Sequence, residues 1–462
     1  MAAHPLLHRM LGSVEVEACF SAEAWLRHML AFEQALSGAQ AALGLVPAAV
    51  PAMLARVVPA DFDPDAIAAA TVATATPAIP FVQQLTAAVA RLDPQAAGFV
   101  HAGSTSQDVM DTALMLCLRS ALAVLDAYAL AIVGQLRELA AKHRNTLLAA
   151  RTLGQQAGPT TFGARLAGWL HALLDAREAL CRLREALPLQ CAGATGTLAS
   201  AGQQASPLVA EVASHLALRA ARPWHTERRV VRELAAELAQ ASAAVGKIAH
   251  DLQAMMQTEV GELAEATAPG RGGSSALPHK RNPVATLAAL AAAHRAPGLL
   301  ATVFATFDHG FERAAGAWHA ETEALVELCI TAGAALGALR RALQGLVVDT
   351  AAMRRNLQLM RGLDMSEAAS RALAPTIGQS QAQALVREAC SEVRDGEATL
   401  FDVLARDPRV LAHLTTDSLR AVLAPEAHLG QAGALTDAAV ARAELVLART
   451  GDSIPLPPSA AS

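Results

Sequence analysis

From Ala113 to Ala149 the chain carries no proline, and its apolar residues fall at Leu114, Leu118, Ala121, Leu125, Tyr128, Ile132 and Leu139. Most of these steps alternate between four and three residues, the spacing that lays an apolar seam along one face of an α-helix. Arg232 to Ala266 repeats the pattern at Leu234, Leu238, Ala241, Val245, Ile248, Leu252 and Met255. At 1.5 Å of rise per residue, each helix would run on the order of 50 Å. Further helical runs at about 161–187, 284–308 and 314–346 bring the number to five. Five such rods predict an all-α protein with a long central bundle. Ala, Leu and Val carry the 53% apolar content, and only 15 of the 462 residues are aromatic. Small alanine faces on helices this long exceed what one chain's core needs, so copies of the chain are expected to pack together.

Outside the bundle the pattern breaks. Pro47, Pro51, Pro59, Pro64, Pro77, Pro80 and Pro94 divide the first 110 or so residues into short helical pieces. After about 350 the helices shorten again, and Ile454-Pro455-Leu456-Pro457-Pro458 reads as a loose tail. The expected organisation is an N-terminal helical domain over 1–112, the central bundle over 113–350 and a C-terminal helical domain over 351–462. No strand of useful length stands out.

Several function classes can be set aside. A net charge of −5 argues against general nucleic-acid binding, which relies on clustered Lys and Arg. The six cysteines lack the paired or His-linked spacing of a metal site, so they read as reduced thiols and no metal is expected. Met1 to Phe20 lacks the apolar run of a secretory signal. The longest charge-free stretch, Ala186 to Ala210, is rich in Gly, Gln and Ser, and no bilayer-spanning segment is apparent. These readings predict a soluble cytoplasmic protein.

Three hydroxyl-rich segments sit beside the long helices. In His101-Ala102-Gly103-Ser104-Thr105-Ser106-Gln107-Asp108, Thr105 followed by Asp108 suggests a capping box and a helix start. Arg151-Thr152-Leu153-Gly154-Gln155-Gln156-Ala157-Gly158-Pro159-Thr160-Thr161 reads as a polar connector. The third, Pro269 to Pro283, is a glycine- and serine-rich loop that becomes cationic at His279, Lys280 and Arg281. Asn282-Pro283 suits a helix N-cap and first turn, whose free amides would face the loop as an anion site. The loop lacks both the phosphate-loop pattern G-x-x-x-x-G-K-[ST] and the G-x-S-x-G of a hydrolase elbow.

Gly273-Ser274-Ser275-Ala276-Leu277-Pro278-His279-Lys280-Arg281-Asn282 resembles the signature G-S-S-x-M-P-x-K-x-N of the fumarase/aspartase superfamily, with Leu277 in place of Met. The other two segments resemble its remaining signature regions, in the same order. Almost the whole chain is similar, most closely to the bacterial cycloisomerases of that superfamily. This closer likeness rests on Thr76-Pro77-Ala78-Ile79-Pro80-Phe81-Val82, Thr105 to Ala113, Glu312-Arg313-Ala314-Ala315-Gly316-Ala317-Trp318-His319, Ala374-Pro375 and Leu429-Gly430.

The resemblance implies a cofactor-free enzyme acting on a small polycarboxylate, homotetrameric, with each site shared between subunits. It implies intramolecular addition of a carboxylate to an activated double bond, or alternatively a C–N or C–O β-elimination on a succinate-like dicarboxylate. Either route passes through a carbanion held as its aci-carboxylate, which requires donors where the negative charge develops. By the same resemblance Ser274 is the proton-transferring residue, Lys280 is catalytic, and Lys280 and Asn282 hold that carboxylate. Thr105, Ser106, Thr152, Gln155 and Ser275 bind other substrate oxygens, with His101, Arg151, Arg281 and Arg313 as further donors. Fumarase and adenylosuccinate lyase carry a His and a Glu where Leu153 and Leu287 stand here. Loss of both together avoids a lone buried carboxylate and removes the acid that protonates a nitrogen leaving group.

Overall fold

The computed structural model describes residues 9–450. The expected tail at Ile454–Pro458 and the first eight residues of the Met1–Phe20 segment lie outside the described residues. The fold is almost wholly helical, as the apolar periodicity predicts. In chain order the longer helices are α1 (Ala22–Ala42), α2 (Ser106–Lys142), α3 (Phe162–Glu185), α4 (Arg229–Met255), α5 (Val284–Ala305), α6 (Ala317–Leu343), α7 (Ser366–Ile377), α8 (Gln379–Asp395) and α9 (Ala432–Thr450).

The two seams behave as the spacing requires. Leu114, Leu118, Ala121, Leu125, Tyr128 and Ile132 of α2 are buried, as are all seven seam residues of α4. Both helices end earlier than the apolar pattern suggests. The chain leaves α2 at Lys142, before Asn145 and Thr146, and leaves α4 at Met255, before a turn that ends on Gly261 at φ +59°. Prolines punctuate the N-terminal region as expected, with Pro59, Pro64 and Pro94 each opening a short helix.

Two short ladders correct the expectation that no useful strand exists. Leu147–Thr152 (β1) and Gln155–Thr161 (β2) form an antiparallel hairpin, pairing Leu147 with Thr161 and Thr152 with Gln155. Its turn is Leu153-Gly154, both at positive φ (51° and 80°), the backbone twist that suits a two-residue hairpin turn. Leu263–Ala264 (β3) pairs with Val347–Val348 (β4).

The chain forms two compact units, each drawing on separate stretches of sequence. The first comprises Met1–Ala129, Asp175–Gly246 and Ala288–Ala338; the second comprises Leu130–Leu174, Lys247–Leu287 and Leu339–Ser462. Within the second, α7 and α8 pack with the following short helices around Leu373, Leu385, Val393, Leu400 and Leu404.

By length and composition α2, α5 and α6 could each cross a membrane, so the reading that no such segment exists needs correction. Alanine-rich helices with few charges meet that criterion without any continuous run of large apolar residues. The apolar windows of α2 and α6 are 67% and 78% buried within the protein, whereas that of α5 is only 28% buried.

Candidate active site

The first segment belongs to the first unit. Helix α2 starts one residue after Thr105, and Asp108 Oδ2 accepts the Thr105 amide at 3.3 Å, half of the expected capping box. The Thr105 hydroxyl turns elsewhere and accepts from Arg313 Nη2 at 2.7 Å. The same nitrogen donates to the Ala194 carbonyl at 3.2 Å. Two predicted site residues far apart in sequence are thus brought together, and Arg313 has only neutral acceptors there. Ser106 is half-buried at the helix start. His101 occupies left-handed backbone (φ 59°), and its Nδ1 hydrogen-bonds Glu33 Oε1 at 2.6 Å. Burial pushes this imidazole down, but the Glu33 hydrogen bond and charge, aided by Asp108, leave it raised above its ordinary value.

Beneath the segment lies a charged network that the sequence did not reveal. Asp108 is fully buried and accepts the amides of Ala192 (3.0 Å) and Gly193 (2.8 Å) and the Nε2 of His225 (2.9 Å). Arg228, also fully buried, makes a forked pair with Asp111 (2.6 and 3.0 Å) and donates to Glu321 at 2.7 Å. Trp318 Nε1 caps the same Asp111 oxygen at 3.0 Å. Asp108 and Asp111 are three residues apart on one helix face, the spacing that could have flagged them. Their partners at 192–193, 225, 228 and 321 are too distant in sequence to read. A cavity of about 240 Å³ opens beside the segment, with the hydroxyl residues Ser104, Thr195, Thr197 and Ser200 in its lining.

The second and third segments belong to the second unit. The connector is the β1–β2 hairpin, which sets Thr152 and Gln155 opposite each other at an exposed tip. Arg151 faces inward. Its guanidinium forks onto Glu262 at 3.0 and 2.6 Å, and Asn356 Nδ2 donates to the same carboxylate at 2.8 Å. Glu262 is fully buried, so an isolated charge there would be costly, and Arg151 is committed to neutralising it.

The third segment is pinched at its neck. The Asn282 amide donates to the Gly272 carbonyl at 2.8 Å, and the Asn282 side chain reaches the Gly273 carbonyl at 3.4 Å. A Cβ on Gly272 would lie 2.5 Å from the Asn282 carbonyl, so only glycine fits there. Within the loop, Ser274 Oγ accepts the amides of Ala276 (3.3 Å) and Leu277 (3.1 Å). Two amide dipoles directed at one hydroxyl oxygen favour its alkoxide. Ser275 and Lys280 are exposed, and neither Lys280 nor Arg281 has an ion-pair partner among the described residues.

Two expectations change here. Helix α5 begins at Val284, one residue later than Asn282-Pro283 suggests, and its first amides are not open to an anion. Glu265 fills that position, accepting from Ala285 N at 3.3 Å and Thr286 N at 2.7 Å. Leu153 and Leu287 are 103% and 44% exposed, so burial within a single chain does not explain the loss of the His–Glu pair.

An almost wholly helical scaffold thus carries a serine oxygen under two amides, on a loop whose Lys280 and Arg281 have no ion-pair partner among the described residues. Residues 16–298 match a family described as lyase, and residues 362–439 match the adenylosuccinate lyase C-terminus. The chain belongs to this lyase family, within the fumarase/aspartase superfamily. It is 43% identical over 442 residues to a 3-carboxy-cis,cis-muconate cycloisomerase of Pseudomonas aeruginosa, covering 95% of this chain and 96% of the relative. It is 42% identical over 445 residues to a nitrosuccinate lyase of Streptomyces davaonensis, covering 94% of each. The solved structure of the 3-carboxy-cis,cis-muconate lactonizing enzyme of Pseudomonas putida superposes with a TM-score of 0.90 at 39% identity, covering 96% of this chain and 99% of that one.

Proposed function

We propose that the protein is a cytoplasmic 3-carboxy-cis,cis-muconate cycloisomerase of aromatic-acid catabolism. The observation that carries this reading is the Ser274 hydroxyl beneath the Ala276 and Leu277 amides, on the loop that also holds Lys280 and Asn282. One carboxylate oxygen of the substrate attacks the activated double bond, forming the lactone C–O bond. The π electrons move to the adjacent carbon and into its carboxylate, giving an aci-carboxylate that Lys280 and Asn282 hold. The Ser274 hydroxyl then delivers its proton to that carbon, leaving an alkoxide stabilised by the two amides and by Lys280. Solvent reprotonates Ser274 when the loop opens. Thr105, Ser106, Thr152, Gln155 and Ser275 bind the remaining oxygens. The nucleophile is already a carboxylate, so the reaction needs no acid at Leu153 or Leu287.

The test is the loss of the conjugated-diene absorbance of 3-carboxymuconate. Ser274→Ala should lower kcat by about 10²- to 10⁴-fold, the usual worth of a positioned acid or base. Absence of wild-type turnover sinks the substrate, and undiminished turnover of the variant sinks the serine's role. The similarity to a nitrosuccinate lyase makes elimination the competing outcome. Ser274 would then remove a proton from the methylene carbon next to the nitro-bearing carbon as nitrite leaves, and nitrosuccinate would yield fumarate, read by its ultraviolet absorbance.

The assembly we propose is a homotetramer whose sites combine segments from different copies. Supporting it is the apolar helix α5, whose apolar window is only 28% buried, with Val284 and Leu287 exposed at its start, Phe304 near its end and Phe307 two residues beyond it, 47% and 71% exposed. Light scattering should give about four times the 47.8 kDa chain mass; an active species of one chain mass would refute it.

A further inference from the structure

Glu265 stands at the end of β3, outside every signature segment, and its side chain is only 5% exposed. Four donors converge on it. Arg271 Nη2 donates at 2.8 Å to Oε2, which also takes the Ala285 amide at 3.3 Å. Oε1 accepts the Thr286 amide at 2.7 Å and the Thr286 hydroxyl at 2.8 Å. Arg271 is the residue before Gly272, and Ala285 and Thr286 follow shortly after Asn282. These donors therefore flank both sides of the neck at which Gly272 and Asn282 pair.

We infer that Glu265 is a positioning residue for the catalytic loop, an inference that rests on the proposed role of Ser274. The carboxylate clamps the two strands of the neck from outside, so the span from Gly273 to Arg281 is a short closed loop on a fixed base. The bonds to Arg271 and to the first-turn amides of α5 are charge-assisted, the stronger kind of hydrogen bond. The β3–β4 ladder holds Glu265 from the other side, through Ala264 paired with Val347. The clamp has an electrostatic consequence as well. Glu265 neutralises the positive end of the α5 dipole, so the loop's attraction for a substrate carboxylate is left to Lys280, Arg281 and Asn282.

Glu265→Gln keeps an acceptor for one amide but removes the charge and places an N–H against a donor. Arg271→Met breaks the same clamp from its more exposed side, where folding is least at risk. Each should lower kcat at least about tenfold with KM changed less than about threefold, because a loosened neck reduces the fraction of bound complexes with a closed loop. The double variant should be no slower than the worse single one, since both cut one link. A readout independent of activity is limited trypsin digestion of the folded protein, cleaving after Lys280 and Arg281. Cleavage there should quicken about tenfold in both variants while the rest of the chain stays resistant. Unchanged cleavage, or additive losses in the double variant, overturns the clamp. Faster cleavage with undiminished kcat overturns its catalytic relevance; undiminished turnover of Ser274→Ala separately overturns the reading on which it rests.

Discussion

Replacing Asp108 by Asn keeps the size of the side chain and removes one acceptor from a buried site with none to spare. In the native chain Oδ1 serves the Ala192 amide and His225 Nε2, while Oδ2 serves the Gly193 and Thr105 amides and lies 3.4 Å from Ser104 Oγ. An asparagine oxygen at the Oδ1 position turns its NH₂ against Gly193 N. The flipped amide instead strands Ala192 N, although His225 can adapt by becoming an acceptor at Nε2 and a donor at Nδ1, an atom with no partner now. The first orientation strands the Gly193 and Thr105 amides and the flipped one strands Ala192 N, so at least one buried amide loses its acceptor, at about 1–3 kcal/mol, and the surviving bonds lose their charge, about 1 kcal/mol more. A total of about 3 kcal/mol, in a unit of roughly 250 residues, lowers Tm by about 6–12 °C. Calorimetry or circular dichroism at matched protein concentration measures it, since assembly also shifts Tm. KM should rise too, because Thr105 and the 192–193 turn are held by this carboxylate. A variant that melted within about 2 °C of wild type would refute the reasoning, more so if its kcat had collapsed, for Asp108 would then be chemistry and not scaffold.

Two further predictions concern the nominated cations. The His101 imidazole is raised by Glu33 despite burial, so it takes up a proton more readily in the folded chain. Its pairing contributes stability in full below the ordinary histidine value and loses it as pH rises through the raised one; the Tm advantage of wild type over His101→Gln should therefore shrink from pH 6 toward pH 9, and an advantage that grew would contradict the pairing. Arg151→Gln strands the buried Glu262 and should cost about 3 kcal/mol of stability; Arg313→Gln strands only neutral acceptors and should raise KM with little change in Tm. The two effects interchanged would overturn both assignments.

The long helices were legible because an apolar seam at three- and four-residue steps has no other stable reading once proline is absent. The hairpin was not. Leu147-Leu148-Ala149-Ala150-Arg151-Thr152 shows no alternation, its register slips between Ala149 and Arg151, and its strands owe their pairing to a turn and to packing. The Ser274 loop declared itself through an unusual run of residue types within ten positions. Its support did not, since Glu265 reads as one acidic residue among many until the fold sets Thr286 against it. The same holds for Arg151, whose meaning depends on Glu262, 111 residues away. Local chemistry was visible in the sequence; the partners that decide whether a charge is free or spoken for were not.

That distinction reshapes how a trianionic substrate would be held. Arg151, Lys280, Arg281 and Arg313 look equivalent in sequence, but the fold separates them. Arg151 is neutralised by a buried carboxylate, and the helix end expected to attract anions is occupied by Glu265. Arg313 is oriented by Thr105 and Ala194 without being neutralised, so its charge remains available. Lys280 and Arg281 lie exposed on a loop whose neck is fixed. Lys280 and Arg281 share the serine-bearing loop of the second unit, and Arg313 keeps its charge beside the Thr105 hydroxyl in the first. A net negative charge is compatible with local cationic groups, because buried acids such as Glu262 and Glu265 are matched to Arg151 and Arg271, while Lys280, Arg281 and Arg313 have no ion-pair partner among the described residues.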